Sequence, residues 1–404
     1  MEPTALPRPP PLSGIRVLDL SRVLAGPWAG QLLGDLGADV VKVERPGSGD
    51  DTRAWGPPFL LDAGGMPTSD SAYFLCTNRS KRSIEIDIAS QSGQQLLVRL
   101  AEKADVLIEN FKVGGLLAYG LDYASLEKVN PRLVYCSITG FGQTGPYADR
   151  AGYDFLIQGM GGLMSVTGRA SGEPGSGPQK VGVAVTDILT GLYATVAIQA
   201  GLAERERSGR GQHIDLALLD VQVAALANQA SNYLVGGVIP TRMGNAHPNI
   251  VPYQDFPTAD GDMILAIGND GQFRRFAQIA GHPEWAEDPR FATNPARVEN
   301  RAELCSRIAA TTKRLSTAEW IGALEKFAVP CGPVNRLDEV FADPQVRARG
   351  TRMRLQHGSG QAVDLVANPI RFSASPVADT LAPPRLGEHG AEVLRDWLGI
   401  EPSG

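Results

Sequence analysis

The sequence predicts an α/β chain in which a large domain with a doubly wound, mostly parallel sheet is joined to a smaller α+β domain. Three observations lead there. Short β-branched runs alternate with helical patterns from Gly14 onward, and 404 residues exceed what one hydrophobic core comfortably serves. After Gln212 the alternation gives way to a long helical pattern and a loop marked by glycine and proline, Gly236–Pro252.

Taken in order, Ile15–Leu20 reads as a strand, Pro27–Leu36 as a helix with proline near its first turn, and Asp39–Glu44 (DVVKVE) as a second strand. Ser83–Ile88 follows as a strand, Gly93–Lys103 as a helix, and Asp105–Glu109 and Leu133–Ile138 as two further strands. Ligands of such sheets bind beyond the carboxyl ends of the strands, which directs attention to three loops: Arg22–Gly30 (RVLAGPWAG), Arg45–Asp50 (RPGSGD) and Asn110–Gly114 (NFKVG). None is a GxGxxG fingerprint. RPGSGD by itself reads as a surface turn, although Arg45, directly after a strand, could pair with a phosphate or stack on an adenine. Lys81 and Arg82 offer the same chemistry or a plain solvated loop.

The longest apolar stretch, Ile188–Ala203, is interrupted by Thr190, Gly191, Thr195 and Gln199, so it is expected to be a buried core helix and not a membrane span. A strand at His213–Leu216 runs into a long helix from Leu219 to about Leu234. Met263–Ile267 is a strand, Gly271–Ile279 a helix, and Ser316–Phe327 a helix opened by the capping box Ser316-x-x-Glu319. Arg352–Gln356 and Ala362–Leu365 are strands expected to rejoin the first domain. The expected layout is a flexible tail over 1–12, a large domain from 13–210 and 332–404, a linker strand and helix over 211–235, and a small domain over 236–331.

Lys+Arg 38 against Asp+Glu 44 gives a net charge of −6, which argues against nucleic acid as a partner. The four cysteines are far apart with no CxxC pair, and the five histidines do not cluster with them, so no metal site is expected. The proline-rich start MEPTALPRPPPL lacks an apolar core, so it is not read as a signal peptide. A cytoplasmic protein without membrane partners is expected.

The segment Val181–Ala194 (VGVAVTDILTGLYA) breaks an apolar run at one acid, Asp187, and a long apolar helix pattern begins directly after it. That layout puts a lone carboxylate at a strand-to-helix corner, where a reactive side chain can be both exposed and rigidly held. An ordinary helix N-cap would read the same way.

The blocks GIRVLDLSRVLAGP, LGADVVKVERPGSGD, NRSKRSIEIDI, ADVLIENF, NPRLVYCSITGFGQTGPY, AGYDFLIQGMGGLMSVTG, GVAVTDILTGLYA, GRGQHIDLALLD, VPCGPVN and LGEH, in that order, resemble the class III coenzyme A transferases. This family includes formyl-CoA transferase, carnitine CoA-transferase and dicarboxylate CoA-transferases that use succinyl-CoA. The resemblance runs from about Leu12 to Leu398. It implies an interlocked homodimer whose large domain is Rossmann-like and binds CoA, with no tightly bound cofactor and with CoA as a substrate. The implied partners are an acyl-CoA and a small carboxylic acid.

The same resemblance implies that Asp187 is the nucleophile. Chemistry supplies an independent reason for a carboxylate: moving CoA between two acids is nearly thermoneutral, so each covalent intermediate must stay as activated as a thioester. Aspartyl anhydride and aspartyl-CoA thioester both meet that condition, whereas a serine ester would trap the acyl group. With a reference pKa near 3.9, Asp187 is expected to be ionised already. Positioning, which can supply ~7–11 kcal/mol, then outweighs the ~0.3–1 kcal/mol available at a helix N-terminus.

By resemblance Leu24, Ala25, Arg45, Ile86, Asp87, Asn110 and Phe111 line the CoA groove, and Tyr153 and Asp154 stand at the active-site mouth. Gly244, Asn245 and His247, in GNAHPNIVPYQDF, look most like the dicarboxylate-using members and could bind the distal carboxylate of the acid. A histidine satisfied by its own loop is the other reading of His247. The same stretch corresponds to a glycine-rich lid in formyl-CoA transferase, though it is not glycine-rich here. Two departures are visible: Val113 replaces a proline common in relatives, and Leu24 stands where formyl-CoA transferase has glutamine, which argues against oxalate as acceptor. Related acyl-CoA racemases carry a histidine base where Tyr153 stands, so a racemase or epimerase of the same fold is the first rival. A catalytically silent CoA-binding protein is the second.

Overall fold

In the strand Arg16–Asp19 (β1), Val17 and Leu18 are both fully buried, and the pleat sends them to opposite faces. The same holds for Val40 and Val41 of β2 (Asp39–Glu44), for Val106 and Leu107 of β4 (Val106–Glu109) and for Val134 and Tyr135 of β5 (Val134–Thr139). A strand apolar on both sides must be covered twice, which makes a parallel sheet between helices. The computed structural model, which describes residues 8–378 and 380–401, contains that sheet. With β3 (Lys81–Glu85) and β6 (His213–Ala217) it has six strands in the order 3-2-1-4-5-6, all parallel.

One face is covered by α1 (Ala25–Asp35), by α4 (Val185–Ser208) and by α5 (Leu218–Ala225), through Ala29, Leu33, Ala194, Ile198 and Leu218. The other is covered by α2 (Gln91–Ala101) and α6 (Gly390–Leu398), through Leu97, Leu100, Val393 and Trp397. Each fully buried Val, Leu or Ile among them contributes about 1.5–3 kcal/mol by leaving water. Chain direction across the sheet reverses between β1 and β4, so the loops after these two strands flank the crevice where ligands of doubly wound sheets sit. The short helix α3 (Asp154–Met160) lies between β5 and α4 in sequence.

The chain forms two compact units: 1–163 with 181–236 and 344–404, and 164–180 with 237–343. This differs from the expected layout. The stretch 211–235 is no linker, because β6 pairs with β5 along its length and completes the sheet. Of the expected tail, residues 1–7 lie outside the described residues, while Leu12 donates its N–H to Leu36 O at 2.8 Å and packs into the α1 side of the core. The long helix expected from Leu219 is two, Leu218–Ala225 and Ala227–Gly236, broken at Ala227 where φ is +45°. Arg352–Gln356 and Ala362–Val366 belong to the first unit but pair with each other as a hairpin instead of joining the large sheet.

The second unit is a three-stranded antiparallel sheet, with Asp262–Ala266 between Tyr253–Pro257 and Cys331–Pro333. Its core gathers Phe256, Met263, Phe273, Phe276, Trp285 and Trp320. The capping box forms: Glu319 N–H donates to Ser316 Oγ at 3.3 Å and Ser316 N–H to Glu319 Oε2 at 2.8 Å.

Candidate active site

The turn after β1 sets the site. Val23 has φ of +73°, a conformation that a β-branched residue adopts only when its surroundings impose it. Three groups impose it. Asn110, at the end of β4, accepts the N–H of Arg22 at 2.9 Å and donates to its carbonyl at 2.7 Å, so one side chain clamps both sides of that residue. Asp50 accepts the N–H of Val23 at 3.3 Å. Beneath them, fully buried Lys42 bridges Asp50 at 2.8 Å and donates to Ser21 O at 2.9 Å. Burial works against the Asp50 anion, but the Lys42 charge and the hydrogen bonds from Lys42 and Thr52 together outweigh it and hold the carboxyl at about 2.

Lys81 and Arg82 belong to the same kind of framework and not to a solvated loop. Lys81 is fully buried against Asp19 at 3.0 Å, where burial pushes its ammonium down to about 8 despite the attraction of Asp19. Arg82 is tied to Asp39, Glu392 and Asp396. Both cations are committed to ion pairs.

Asp187 stands in the first turn of α4, two residues inside its start at Val185, and is 9 % exposed. It is therefore not the N-cap, and the residues just before the helix form no strand. The N-cap, Ala184, has no side chain able to accept a hydrogen bond. Asp154 supplies the missing acceptor: its Oδ1 takes the N–H groups of Thr186 at 2.9 Å and Asp187 at 3.3 Å, while its Oδ2 accepts from Gln158 at 2.7 Å. The cap thus comes from 33 positions upstream.

That arrangement corrects the expectation that Asp187 is simply ionised. Burial, and then the charge of Asp154, push its carboxyl up to about 7. The half-buried Tyr73 hydroxyl is pushed up to about 12 by burial and by the charge of Asp187, which puts Tyr73 within electrostatic reach of the same carboxylate.

A cavity of about 440 Å³ opens over this carboxylate within the first unit. Leu24, Ala25, Asn110, Phe111, Tyr153 and Asp187, all expected site residues, line it together. Leu24 and Ala25 are buried, whereas Tyr153 is 63 % exposed. Gly191, one turn beyond Asp187, lets α4 approach α1, since a Cβ there would lie 2.7 Å from Ala25 O and 2.9 Å from Trp28 Cβ. Gly140 and Gly152 touch backbone to backbone, since a Cβ on Gly152 would lie 2.5 Å from Gly140 Cα, and this pins the segment that carries Tyr153.

Other expected residues stand elsewhere. Ile86 is buried in the α2 side of the core. Asp87 is exposed and accepts the N–H of Ala89, turning the chain into α2. Arg45 is exposed in its turn and is not among the cavity-lining residues. Gly244, Asn245 and His247 lie in the second unit, where Gly244 N–H donates to Gly168 O at 3.1 Å. His247 Nδ1 accepts the N–H of Asn249 at 3.1 Å, and burial together with the charge of Arg301 lowers its pKa, the behaviour of a histidine satisfied by its own loop.

The sequence reading missed Lys42, Asp50, Tyr73, Arg22 and Arg150. The first left a trace, a lysine inside the otherwise apolar strand DVVKVE, but its partner is set by the fold. Among the described residues, no three His, Cys, Asp or Glu side chains are grouped so as to hold a metal ion.

The family model described as CoA-transferase family III matches residues 12–390. The chain is 57% identical to a succinate–glutarate CoA-transferase of Agrobacterium fabrum, over 98% of this chain and 97% of that protein. It is 44% identical to the succinyl-CoA:glutarate CoA-transferase of Mus musculus, over 96% of this chain and 86% of the other. Among solved structures, a CAIB/BAIF family protein from Brucella suis superposes with a TM-score of 0.84 at 52% identity, covering 96% of this chain and all of that one.

Proposed function

The chain belongs to CoA-transferase family III and is an enzyme of that kind, and from this premise we propose that it moves CoA from succinyl-CoA to a small dicarboxylate, with glutarate the acceptor its relatives suggest. The observation that carries the reading is the placement of a buried carboxylate, Asp187, in a cavity whose walls include the loops after β1 and β4.

In this reading an Oδ of Asp187 attacks the thioester carbonyl of succinyl-CoA; the C–S bond breaks, CoA thiolate leaves, and a mixed anhydride remains on the enzyme. The thiolate attacks the Asp187 carbonyl, succinate departs, and aspartyl-CoA thioester forms. The acceptor carboxylate then displaces the thiolate to give a second anhydride. Finally the thiolate attacks the acceptor's acyl carbon, yielding the new acyl-CoA and the free Asp187 carboxylate. Every intermediate is activated, so no step has to climb out of a stable ester.

The chain's own residues supply position. Asp154, by capping α4, fixes the height and rotation of Asp187. Asn110 and Asp50 hold the strained Val23 turn, which sets Leu24 and Ala25 as the apolar wall across from the nucleophile. Such prearrangement can supply ~7–11 kcal/mol of the barrier. An Asp187 carboxyl near 7 is half ionised at neutral pH, which costs only about a factor of two in rate.

The racemase reading is not favoured, since these relatives are CoA-transferases, and by resemblance a tyrosine, Tyr153, stands where racemases carry their histidine base. The Rossmann-like large domain and the interlocked homodimer remain part of the proposal. The dimer is supported by α4, whose outward face exposes Leu192, Tyr193 and Val196.

The decisive experiment is mass spectrometry of the protein mixed with succinyl-CoA and digested. A succinyl or CoA adduct on the peptide containing Asp187 is expected, and D187A should show neither adduct nor turnover while remaining folded. An adduct elsewhere, or substantial transfer by D187A, removes Asp187 from this role.

A further inference from the structure

We infer that Arg150 is the specificity-determining residue that binds the distal carboxylate of the dicarboxylate acceptor, an assignment that rests on the transferase reading above. A dicarboxylate brings two negative charges into a cavity that already holds Asp187 and Asp51, so a cation is needed to receive the end that does not react. Three cationic side chains line that cavity: Arg22, Lys112 and Arg150.

They are not equivalent. Arg22 is committed to Asp51 at 3.1 Å. Lys112 is exposed, as Arg150 is, but it lies over no aromatic ring among the described residues and also borders a second cavity, lined by Glu109 and His213, beyond its loop. Arg150 is bridged to no carboxylate among the described residues. Its guanidinium lies over Tyr147 at 4.6 Å and over Phe141 at 5.2 Å, and its one polar side-chain contact is a long one to Met160 Sδ at 4.0 Å.

The two rings stand at 72° to each other, so the guanidinium packs into the corner between them, and its N–H groups not turned to Met160 are the donors that match a carboxylate in a two-pronged geometry. Stacking also removes beforehand much of the rotamer freedom that binding would otherwise freeze. The Gly140–Gly152 contact anchors the segment two residues further on. Tyr153 and Asp154, the cap of the nucleophile's helix, follow directly. The inference also relieves His247, whose Nδ1 is already occupied, of the role expected from sequence.

The test compares wild type, R150Q and R150K with succinyl-CoA as donor and two acceptors of equal length, glutarate and pentanoate. In a ping-pong scheme the kcat/KM of the acceptor reports only its attack on the enzyme-bound CoA thioester, so the donor's own distal carboxylate does not enter. R150Q should lower kcat/KM for glutarate about 10- to 100-fold, chiefly through KM, and change pentanoate by no more than about two-fold. R150K should recover part of the loss, and the inhibition constant of free CoA should stay put. Equal losses for both acids, or a weakened CoA inhibition constant, overturn the assignment, the latter by placing Arg150 on the CoA. A wild type that prefers glutarate and an R150Q variant that keeps the preference overturn this inference alone. A wild type that uses pentanoate as well as glutarate overturns the dicarboxylate reading with it.

Discussion

At the scale of single residues, the pair Asp154 and Asp187 shows one carboxylate doing two opposed things to another. Its hydrogen bonds to the backbone fix the helix start that carries Asp187, and its charge, added to burial, keeps the Asp187 proton on to about pH 7. Only the anion is a nucleophile, so kcat/KM for the donor should rise tenfold per pH unit well below 7 and level off above it, as a single ionisation of the free enzyme. D154N keeps an oxygen acceptor for the cap but removes the like charge, so the acid limb should move to lower pH without reaching the ordinary aspartate range, because desolvation persists. Initial rates between pH 5 and 9 check both. A flat profile in wild type, or an unmoved limb in D154N, would contradict this electrostatic account.

At the scale of elements, the contact between α4 and α1 sets where Asp187 stands in its cavity. Gly191 is a mid-helix glycine, and alanine there would stabilise an isolated helix by about 1 kcal/mol. Here the sign should reverse, because the new methyl would press on the Ala25 carbonyl and on Trp28, and overpacking costs about 1–3 kcal/mol. G191A is expected to lower the midpoint of chemical unfolding and to lower kcat/KM at least about tenfold as Asp187 is displaced. An unfolding midpoint that rises would show that the helices are not in close contact. The strands and their alternation were legible in the sequence because burial on both faces leaves continuous apolar runs such as Val40 and Val41. The corner before Asp187 misled for the same reason: VGVAV imitates a strand, yet the segment stays irregular up to a helix start that Asp154 caps.

At the scale of the whole molecule, the first unit is closed by its last stretch, 344–404, which returns to the strands near the beginning. Arg82 reaches Glu392 and Asp396, and His389 N–H donates to Ser83 O at 2.9 Å. The 24-residue α4 is apolar enough to cross a membrane by composition, but its buried row packs on α1 and the sheet, and only its other face is left to a partner. The expected buried core helix is thus buried along one face only. Light scattering should therefore give twice the chain mass of 43.0 kDa. V196E, which puts a charge in the middle of the exposed row, should shift the protein toward the single-chain mass. A wild-type monomer, or a V196E dimer of undiminished affinity, would assign that face to something else.

The sequence by itself determined the α/β class and the family, and it singled out the carboxylate proposed to react, since hydrophobic period and ordered motifs are properties of the chain read in line. Tertiary structure alone decided that Asp154 caps and charges Asp187, that Lys42 and Asp50 support the Val23 turn, and that Arg150 lies stacked beside the cavity. The physical reason is common to all three. Hydrogen bonds, desolvation and Coulomb fields depend on distance in space, and these partners are brought together from separate strands and loops that no local pattern connects.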